Sequence, residues 1–406
     1  MESRCTIVWG GIVLALAAGC GEQARHTRPL EASAYVWPYV WGPKAVEAVD
    51  RSAGAFDGYW VLIAEANATS GELAYRKIAV NWRAFAGKPV SVVPVIRIER
   101  MPATGNDRQI AASLLDVFRS AKKLAAEPGV KWPGLQLDYD CPTERLEEYA
   151  HLLDAMRSGL PKGAELSITA LPDWLHAEAL RGVLNHVDFL VLQVHSLGRF
   201  GSAWTVCDTD AARKHVAAAA EIGKPFFVAL PSIGYRIRPD VTAQDGIPGR
   251  LMSDPVDIAA LVRDIRSQPS ANLRGIAWFR LPVEGDELNW SWPVLASVMQ
   301  GLVPETDVRA EVRAPRGDLR EVWVRNLGTY QPNGNARLQL VTAGASPLAL
   351  DTINGFRKTD GATPEQFFLE GPVPPAGGEL MAGWFVFAKE RTETDVLCVE
   401  QVEIRQ

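Results

Sequence analysis

Two aspartates, Asp138 and Asp140, stand two residues apart at the end of the apolar run Gly134-Leu-Gln-Leu. Side chains alternate along a strand, so both carboxylates share one face, with their α-carbons about 6 to 7 Å apart. Like charges this close shift their pKa values apart, so that one carboxyl group can hold a proton near neutral pH while the other stays ionised. The pair is therefore a candidate for acid–base chemistry. The alternative is that one aspartate caps the next helix and the other pairs with an arginine.

The segments that position this pair alternate between short apolar runs and helix-like stretches from Ser33 onward. Several runs are almost continuously apolar, which is typical of parallel strands covered by helices. Eight such units in about 270 residues predict a (β/α)8 TIM-type barrel. A doubly wound sheet is the alternative, but no glycine-rich phosphate turn follows the first strand. The predicted strands are 34–37, 59–64, 90–98, 134–140, 165–171, 188–195, 225–230 and 275–281.

The pattern changes after Pro304, where residues alternate at period two between Gly, Pro and Asn turns. This predicts a small C-terminal β-sandwich over 304–406, following a barrel over 33–303. Trp323, Tyr330 or Trp384 could bind carbohydrate there. The alternative is that the sandwich only packs on the barrel.

The N-terminal residues 6–18 form an apolar run that is too short to span a bilayer comfortably and ends in Ala17-Ala18-Gly19-Cys20. This pattern resembles a bacterial lipoprotein signal. We therefore expect a signal peptide over 1–19, a lipid on Cys20 and a tether over 20–32. The protein would lie in the cell envelope and contact the membrane through its lipid alone. An ordinary secretory peptide is the alternative.

Three cysteines remain in the mature chain besides Cys20, namely Cys141, Cys207 and Cys398. In an oxidising compartment they allow at most one disulfide. Cys141 and Cys207 are the candidate pair, because both follow predicted strands on one rim of the barrel. The alternative is three buried free thiols.

Composition and motifs exclude several classes of function. The net charge is −6 and no Lys/Arg run is present, so we expect no nucleic-acid partner. No His-x-x-x-His, Cys-x-x-Cys or Walker A spacing occurs, so we expect no metal and no cofactor. Leu230-Pro-Ser232-Ile-Gly234 has leucine where a nucleophile elbow needs glycine.

Chemistry in such barrels is done where the strands end and in the loops that follow. Aromatic faces beside carboxylates suit sugar rings, which predicts a carbohydrate substrate or ligand. The candidate catalytic residues at this rim are Asp138, Asp140, Glu65, Asp173 and His195. The candidate substrate-binding residues are Trp37, Arg97, Trp174, Gln193, Tyr235, Trp278 and Arg280.

Three segments carry a family resemblance. The segment 134–142, Gly-Leu-Gln-Leu-Asp-Tyr-Asp-Cys-Pro, resembles the fourth-strand signature of chitinase-like glycoside-hydrolase barrels. Segments 165–174 and 225–235 are similar to the fifth and seventh strands of that group. Together they resemble a bacterial family described as a domain of unknown function, over roughly residues 33–300. The resemblance implies a glycosidase-like barrel in an envelope lipoprotein.

The sequence departs from the chitinase pattern Asp-x-x-Asp-x-Asp-x-Glu, whose positions fall on Leu135, Asp138, Asp140 and Pro142. The first aspartate and the catalytic glutamate are missing. A glycoside hydrolase would then draw its second carboxylate from elsewhere, and a separation near 5 Å would indicate retention and roughly 6.5 to 9.5 Å inversion. The alternatives are a non-catalytic glycan-binding lipoprotein and a structural lipoprotein. The candidates for the second carboxylate are Glu65, Asp173, Asp286 and Glu287.

Overall fold

A computed structural model describes residues 29–69, 72–102, 106–126, 128–200, 203–237, 250–332, 334–344, 346–361, 363–388 and 396–405. The predicted signal peptide, Cys20 and residues 21–28 of the predicted tether lie outside these residues. None of the helices among the described residues has the length and apolar character needed to cross a membrane.

The first part of the chain is a closed barrel of eight parallel strands. Strand β1 pairs in parallel with β2 on one side and with β13 on the other, which closes the ring. The predicted (β/α)8 fold is confirmed, each predicted strand overlaps an observed one, and the doubly wound alternative is wrong. In chain order the elements are β1 (Glu31–Val36), α1 (Pro43–Ser52), β2 (Gly58–Thr69), β3 (Glu72–Lys77), β4 (Ser91–Arg100), α2 (Asp107–Ala126), β5 (Gly134–Tyr139), α3 (Leu146–Gly159), β6 (Glu165–Ala170), α4 (Leu180–Leu184), β7 (Phe189–Gln193), β8 (Gly198–Phe200), β9 (Ala203–Thr205), α5 (Thr209–Glu221), β10 (Phe226–Pro231), β11 (Gly234–Arg236), β12 (Arg250–Met252), α6 (Pro255–Ser267), β13 (Leu273–Phe279) and α7 (Trp292–Met299).

Two apolar layers hold the barrel together. The outer layer lies between the strands and the helices, where Leu114 and Phe118 of α2 are almost fully buried. Burial of one such side chain stabilises the fold by roughly 2 kcal/mol. The inner layer fills the barrel with Tyr35, Trp60 and Phe227, among others. The interior of the barrel is therefore packed below the rim.

Two four-stranded antiparallel sheets follow the barrel. One contains β14 (Val308–Arg316), β15 (Leu319–Asn326), β20 (Glu379–Val386) and β17 (Ala349–Thr352), and the other contains β18 (Arg357–Asp360), β19 (Gln366–Pro372), β16 (Asn335–Thr342) and β21 (Leu397–Arg405). They share an apolar core that includes Val322, Leu338 and Phe385. This agrees with the predicted small β-sandwich.

The aromatic residues proposed for sugar binding on the sandwich are partly covered. The guanidinium of Arg313 lies 4.4 Å from the ring centroid of Trp323. Tyr330 packs against the core of the barrel, and Trp384 is partly exposed. Of the three, Tyr330 thus serves packing.

Cys141 and Cys207 are buried and Cys398 is exposed, and all three are free thiols. The predicted disulfide between Cys141 and Cys207 is wrong, and the alternative of three buried thiols holds for these two cysteines but not for the exposed Cys398. Burial raises the pKa of Cys141 and of Cys207 to about 12, which keeps both thiols protonated and unreactive.

Candidate functional site

The carboxyl ends of the barrel strands surround a cavity of about 320 Å³. This volume lies at the lower end of the range for small-ligand sites. The wall combines carboxyl groups with aromatic rings, as the sequence predicted. The lining residues are Tyr35, Trp37, Tyr39, Glu65, Arg97, Glu99, Asp138, Asp140, Thr169, Gln193, His195, Ala229, Tyr235 and Phe279.

Arg97 joins the two aspartates of β5. Its Nη1 lies 3.0 Å from Oδ2 of Asp138, and its Nη2 lies 2.6 Å from Oδ2 of Asp140. Arg97 and Asp138 occupy paired positions on the neighbouring strands β4 and β5. The two carboxylates therefore share one face, as alternation along the strand requires, and one guanidinium neutralises part of their repulsion. The alternative reading, that an aspartate pairs with an arginine, applies to both of them.

The two aspartates have different environments. Asp138 is buried, and its Oδ1 accepts a hydrogen bond of 2.7 Å from the Thr169 hydroxyl. Burial raises the pKa of Asp138, although Arg97 and Thr169 act in the opposite direction. The side chain of Asp140 is 41% exposed. Within the described part of the chain its Oδ1 has no hydrogen-bond partner, so Asp140 is the carboxylate that can contact a ligand.

Glu65 supplies a further carboxylate from β2. Its Oε1 accepts a hydrogen bond of 2.6 Å from the Tyr39 hydroxyl, and its Oε2 lies 3.8 Å from Nη1 of Arg76. Burial, together with the bond to Glu65, raises the pKa of Tyr39 to about 12, so the phenol remains a donor. Glu65 pairs in register with Arg97, which pairs with Asp138, so the three residues form one row across three adjacent strands.

Glu99 is a lining residue that was not predicted. It lies two residues beyond Arg97 on the same face of β4, and its Oε2 accepts a bond of 2.8 Å from Asn67. The predicted strand stopped at residue 98, whereas β4 continues to Arg100. If the predicted strand had been extended to Arg100, the alternation that puts Asp138 and Asp140 on one face would also have put Glu99 on the same face as Arg97.

His195 forms part of the wall as a neutral ring. It is buried, its Nδ1 lies 3.2 Å from the carbonyl oxygen of Ala229, and the ring stacks on Phe279. Burial lowers its pKa to about 4. At neutral pH His195 is therefore uncharged and contributes shape rather than a cation. Gln193 and Trp37 lie beside it on the wall.

Four predicted rim residues lie elsewhere. Trp174 is fully buried, and its indole donates to the carbonyl oxygen of Cys141, 3.0 Å away. Trp278 is also buried and packs near Trp290 behind the strand. Because neither indole reaches the cavity, the prediction that these two residues contact substrate is wrong.

Asp173 and Arg280 are likewise not lining residues of the cavity. Asp173 is exposed in a 3-10 turn, and Arg280 pairs with Asp286. Glu287 lies 3.1 Å from Arg236, and both of these side chains are mostly exposed. Of the four candidates for a second carboxylate, Glu65 alone is a lining residue of the cavity in the described structure.

The fold and the site define a (β/α)8 barrel with an acidic, aromatic-lined cavity at its carboxyl rim. Residues 86–284 match the model of a family described as a domain of unknown function, DUF3142. The predicted resemblance to such a family is thereby confirmed. The comparison with curated proteins gives no match.

Solved structures with a similar backbone fold include three chitinase-related proteins. A chitinase from Chromobacterium violaceum has 15% identity and a TM-score of 0.47, covering 67% of this chain and 98% of that chain. A chitinase from Bacteroides thetaiotaomicron has 12% identity and a TM-score of 0.48, covering 67% of this chain and 96% of that chain. The tamarind chitinase-like lectin has 12% identity and a TM-score of 0.41, covering 67% of this chain and 99% of that chain. In this chain the barrel is closed by the pairing of β1 with both β2 and β13.

Proposed function

We propose that this protein hydrolyses glycosidic bonds of an oligo- or polysaccharide at the rim cavity. The observation that carries the proposal is the row of Glu65, Arg97 and Asp138, with Asp140 open to the same cavity. Glycosidases need two carboxyl groups on opposite sides of the bond that breaks. Aromatic rings on the wall suit the stacking of sugar rings.

The spacing of the strands favours inversion. Glu65 and Asp138 are two strands apart in one register row, and neighbouring strands lie about 4.8 Å apart, so their α-carbons are roughly 10 Å apart. Asp140 lies two residues beyond Asp138, so its α-carbon is roughly 12 Å from that of Glu65. Side chains that point into a barrel converge, which brings the carboxyl groups closer than the α-carbons. This fits the roughly 6.5 to 9.5 Å of inverting enzymes better than the roughly 5 Å of retaining ones.

The roles follow from the environments. Glu65 accepts a hydrogen bond from the Tyr39 hydroxyl, which orients its carboxyl group as a base that activates water. The aspartate pair shares one guanidinium, and burial raises the pKa of Asp138, so the pair can hold a proton. Asp140 is the member of the pair that reaches the leaving oxygen, because its side chain is 41% exposed. Arg97 and Asp138 act as positioning residues.

A hydrolysis screen with the chain from Gly21 onward tests the proposal. Asp140→Asn and Glu65→Gln should each lower kcat by at least about 100-fold, the usual contribution of a positioned acid or base. Asp173→Asn is the matched control, because Asp173 is not a lining residue of the cavity, and it should act like the parent. The first product should have the inverted anomer by NMR. Parent-like turnover in both test variants would refute the assignment.

A non-catalytic glycan-binding protein is the second candidate. It is favoured by Pro142, which stands where the chitinase pattern has its acid, and by the salt bridges that tie both aspartates to Arg97. In that case sugars would bind to the parent without product release. Asp140→Asn would keep most of the affinity.

We propose further that the protein is held in the cell envelope by a lipid on Cys20. Support comes from the apolar run 6–18 and the small residues before Cys20. Labelling of cells with a radioactive fatty acid should mark the parent and leave Cys20→Ala unmarked. Equal labelling of both would contradict the anchor.

A further inference from the structure

The rim cavity carries an excess of negative charge. Among its described lining residues are the carboxyl groups of Glu65, Glu99, Asp138 and Asp140. Against these four stand two guanidinium groups, that of Arg97 in the wall and that of Arg76 beside Glu65. Such a cavity attracts cationic groups and repels anionic ones. Uronic acids and phosphorylated sugars are therefore poor candidates for the ligand.

One corner of the site already holds a cation. The guanidinium of Arg76 lies over the ring of Tyr39, 4.1 Å from its centroid, and 3.8 Å from Glu65. The side chain of Arg76 is 62% exposed, so water screens its interaction with Glu65 and the ion pair is weak. An aromatic face beside a carboxylate suits an ammonium group as well as a guanidinium. A ligand cation could displace Arg76 from this corner.

The floor of the cavity is polar as well as aromatic. Tyr35 lines the cavity and is only 2% exposed, and its hydroxyl interacts with the buried side chain of Gln136. A small number of polar groups on an aromatic wall is typical of a ligand site. The cavity is thus more than an acidic patch of surface.

We infer that the site prefers a hexosamine oligomer whose amino groups are free, with one ammonium group in the corner formed by Tyr39, Glu65 and Glu99. This inference rests on the proposed function and names the substrate class of the same site. A hydroxyl or an acetamide in place of the ammonium removes the charge and with it the preference.

The test compares three hexasaccharides with the same β-1,4 backbone, namely cellohexaose, N-acetylglucosamine hexamer and glucosamine hexamer. Binding is measured by calorimetry on Asp140→Asn, which prevents turnover. The glucosamine hexamer should bind about 10-fold more tightly than the other two at low salt. The preference should shrink at about 1 M salt, where the screening length falls to about 3 Å.

A second pair of variants locates the charge. Added to Asp140→Asn, Glu99→Gln should lower the preference about two- to fivefold, as expected for one partly exposed charge. Glu221→Gln is the control, because this exposed residue ends α5 at the opposite end of the barrel, and it should leave the preference unchanged. Equal binding of all three hexamers, or a preference unaffected by Glu99→Gln, would overturn the inference. If neutral oligomers are hydrolysed without preference, the proposed function stands and this inference fails. If no oligomer binds, both fail.

Discussion

Replacing Arg97 by methionine should destabilise the barrel mainly by leaving Asp138 buried without its cation. The side chain of Asp138 is 8% exposed and that of Asp140 is 41% exposed. Breaking a buried ion pair costs about 3 to 5 kcal/mol, whereas an exposed pair contributes about 0 to 1 kcal/mol. Almost all of the loss should therefore arise at Asp138. We expect about 3 kcal/mol near neutral pH, the lower end, because Asp138 can take up a proton instead.

The same reasoning fixes the direction of the pH dependence. Burial already raises the pKa of Asp138, and loss of Arg97 raises it further. When an acidic group has a higher pKa in the folded than in the unfolded state, the free energy of unfolding begins to fall as the pH rises through the unfolded-state pKa. The full decrease is reached above the folded-state pKa. Below about pH 3 the carboxyl is mostly neutral in both the folded and the unfolded state, so its charge contributes little. The penalty of Arg97→Met should grow from about 1 kcal/mol there to about 3 kcal/mol at pH 7.

Urea unfolding followed by tryptophan fluorescence measures this difference at about pH 3 and about pH 7. The variants are Arg97→Met, Asp140→Asn and the double variant Arg97→Met/Asp138→Asn. Asp140→Asn should cost less than about 1 kcal/mol. The double variant should recover most of the stability at neutral pH, because it carries no buried charge. A penalty that is equal at both pH values, or a double variant as unstable as Arg97→Met, would refute the reasoning.

Three further predictions concern groups outside the acidic row. Burial lowers the pKa of His195 to about 4, whereas in the unfolded chain the pKa is about 6.5. As the pH falls from about 6.5 to about 4, the unfolded chain therefore binds a proton that the folded protein does not, and the free energy of unfolding decreases. His195→Gln should remove about 3 kcal/mol of this decrease, as measured by urea unfolding across the same pH range. An unchanged acid limb would contradict this. Cys398 should react at once with a thiol reagent, while Cys141 and Cys207 react only on unfolding; rapid titration of all three would disprove their burial. A methyl group on Gly275 would lie 2.0 Å from a carbonyl oxygen of β1. Gly275→Ala should therefore lower the free energy of unfolding, measured in urea, by at least about 2 kcal/mol. Parent-like unfolding would contradict the close approach of β13 to β1, where the barrel closes.

The strands of the barrel could be predicted because parallel strands covered on both sides are almost continuously apolar. The runs 90–98 and 225–230 overlap β4 and β10 for this reason. The common face of Asp138 and Asp140 followed from alternation within one strand, which needs no tertiary information. The strand ends were less certain, and the two residues missing from β4 removed Glu99 from the prediction.

The link from Arg97 to both aspartates could not be predicted in the same way. Arg97 and Asp138 belong to different strands, and the register between two strands is set by the closure of the whole barrel. The sequence therefore placed both residues on the rim but left open whether an arginine paired with either aspartate. The register also determines that Glu65 falls in this row, which selects it from the candidates for the second carboxylate.

The wrong prediction for Trp278 shows that the alternation of side chains along a strand does not by itself tell which face points into the barrel. Polar residues on β5 reveal which positions point into the barrel, because Asp138 and Asp140 would be costly on the side covered by helices. The segment from Gly275 to Phe279 contains no polar residue, so its two faces look alike in sequence. In the structure Ala277 and Phe279 point inward, and Trp278 packs outward beneath the helices. A tryptophan at a strand end therefore indicates a sugar-binding rim only where a polar neighbour at an even spacing marks the inward face.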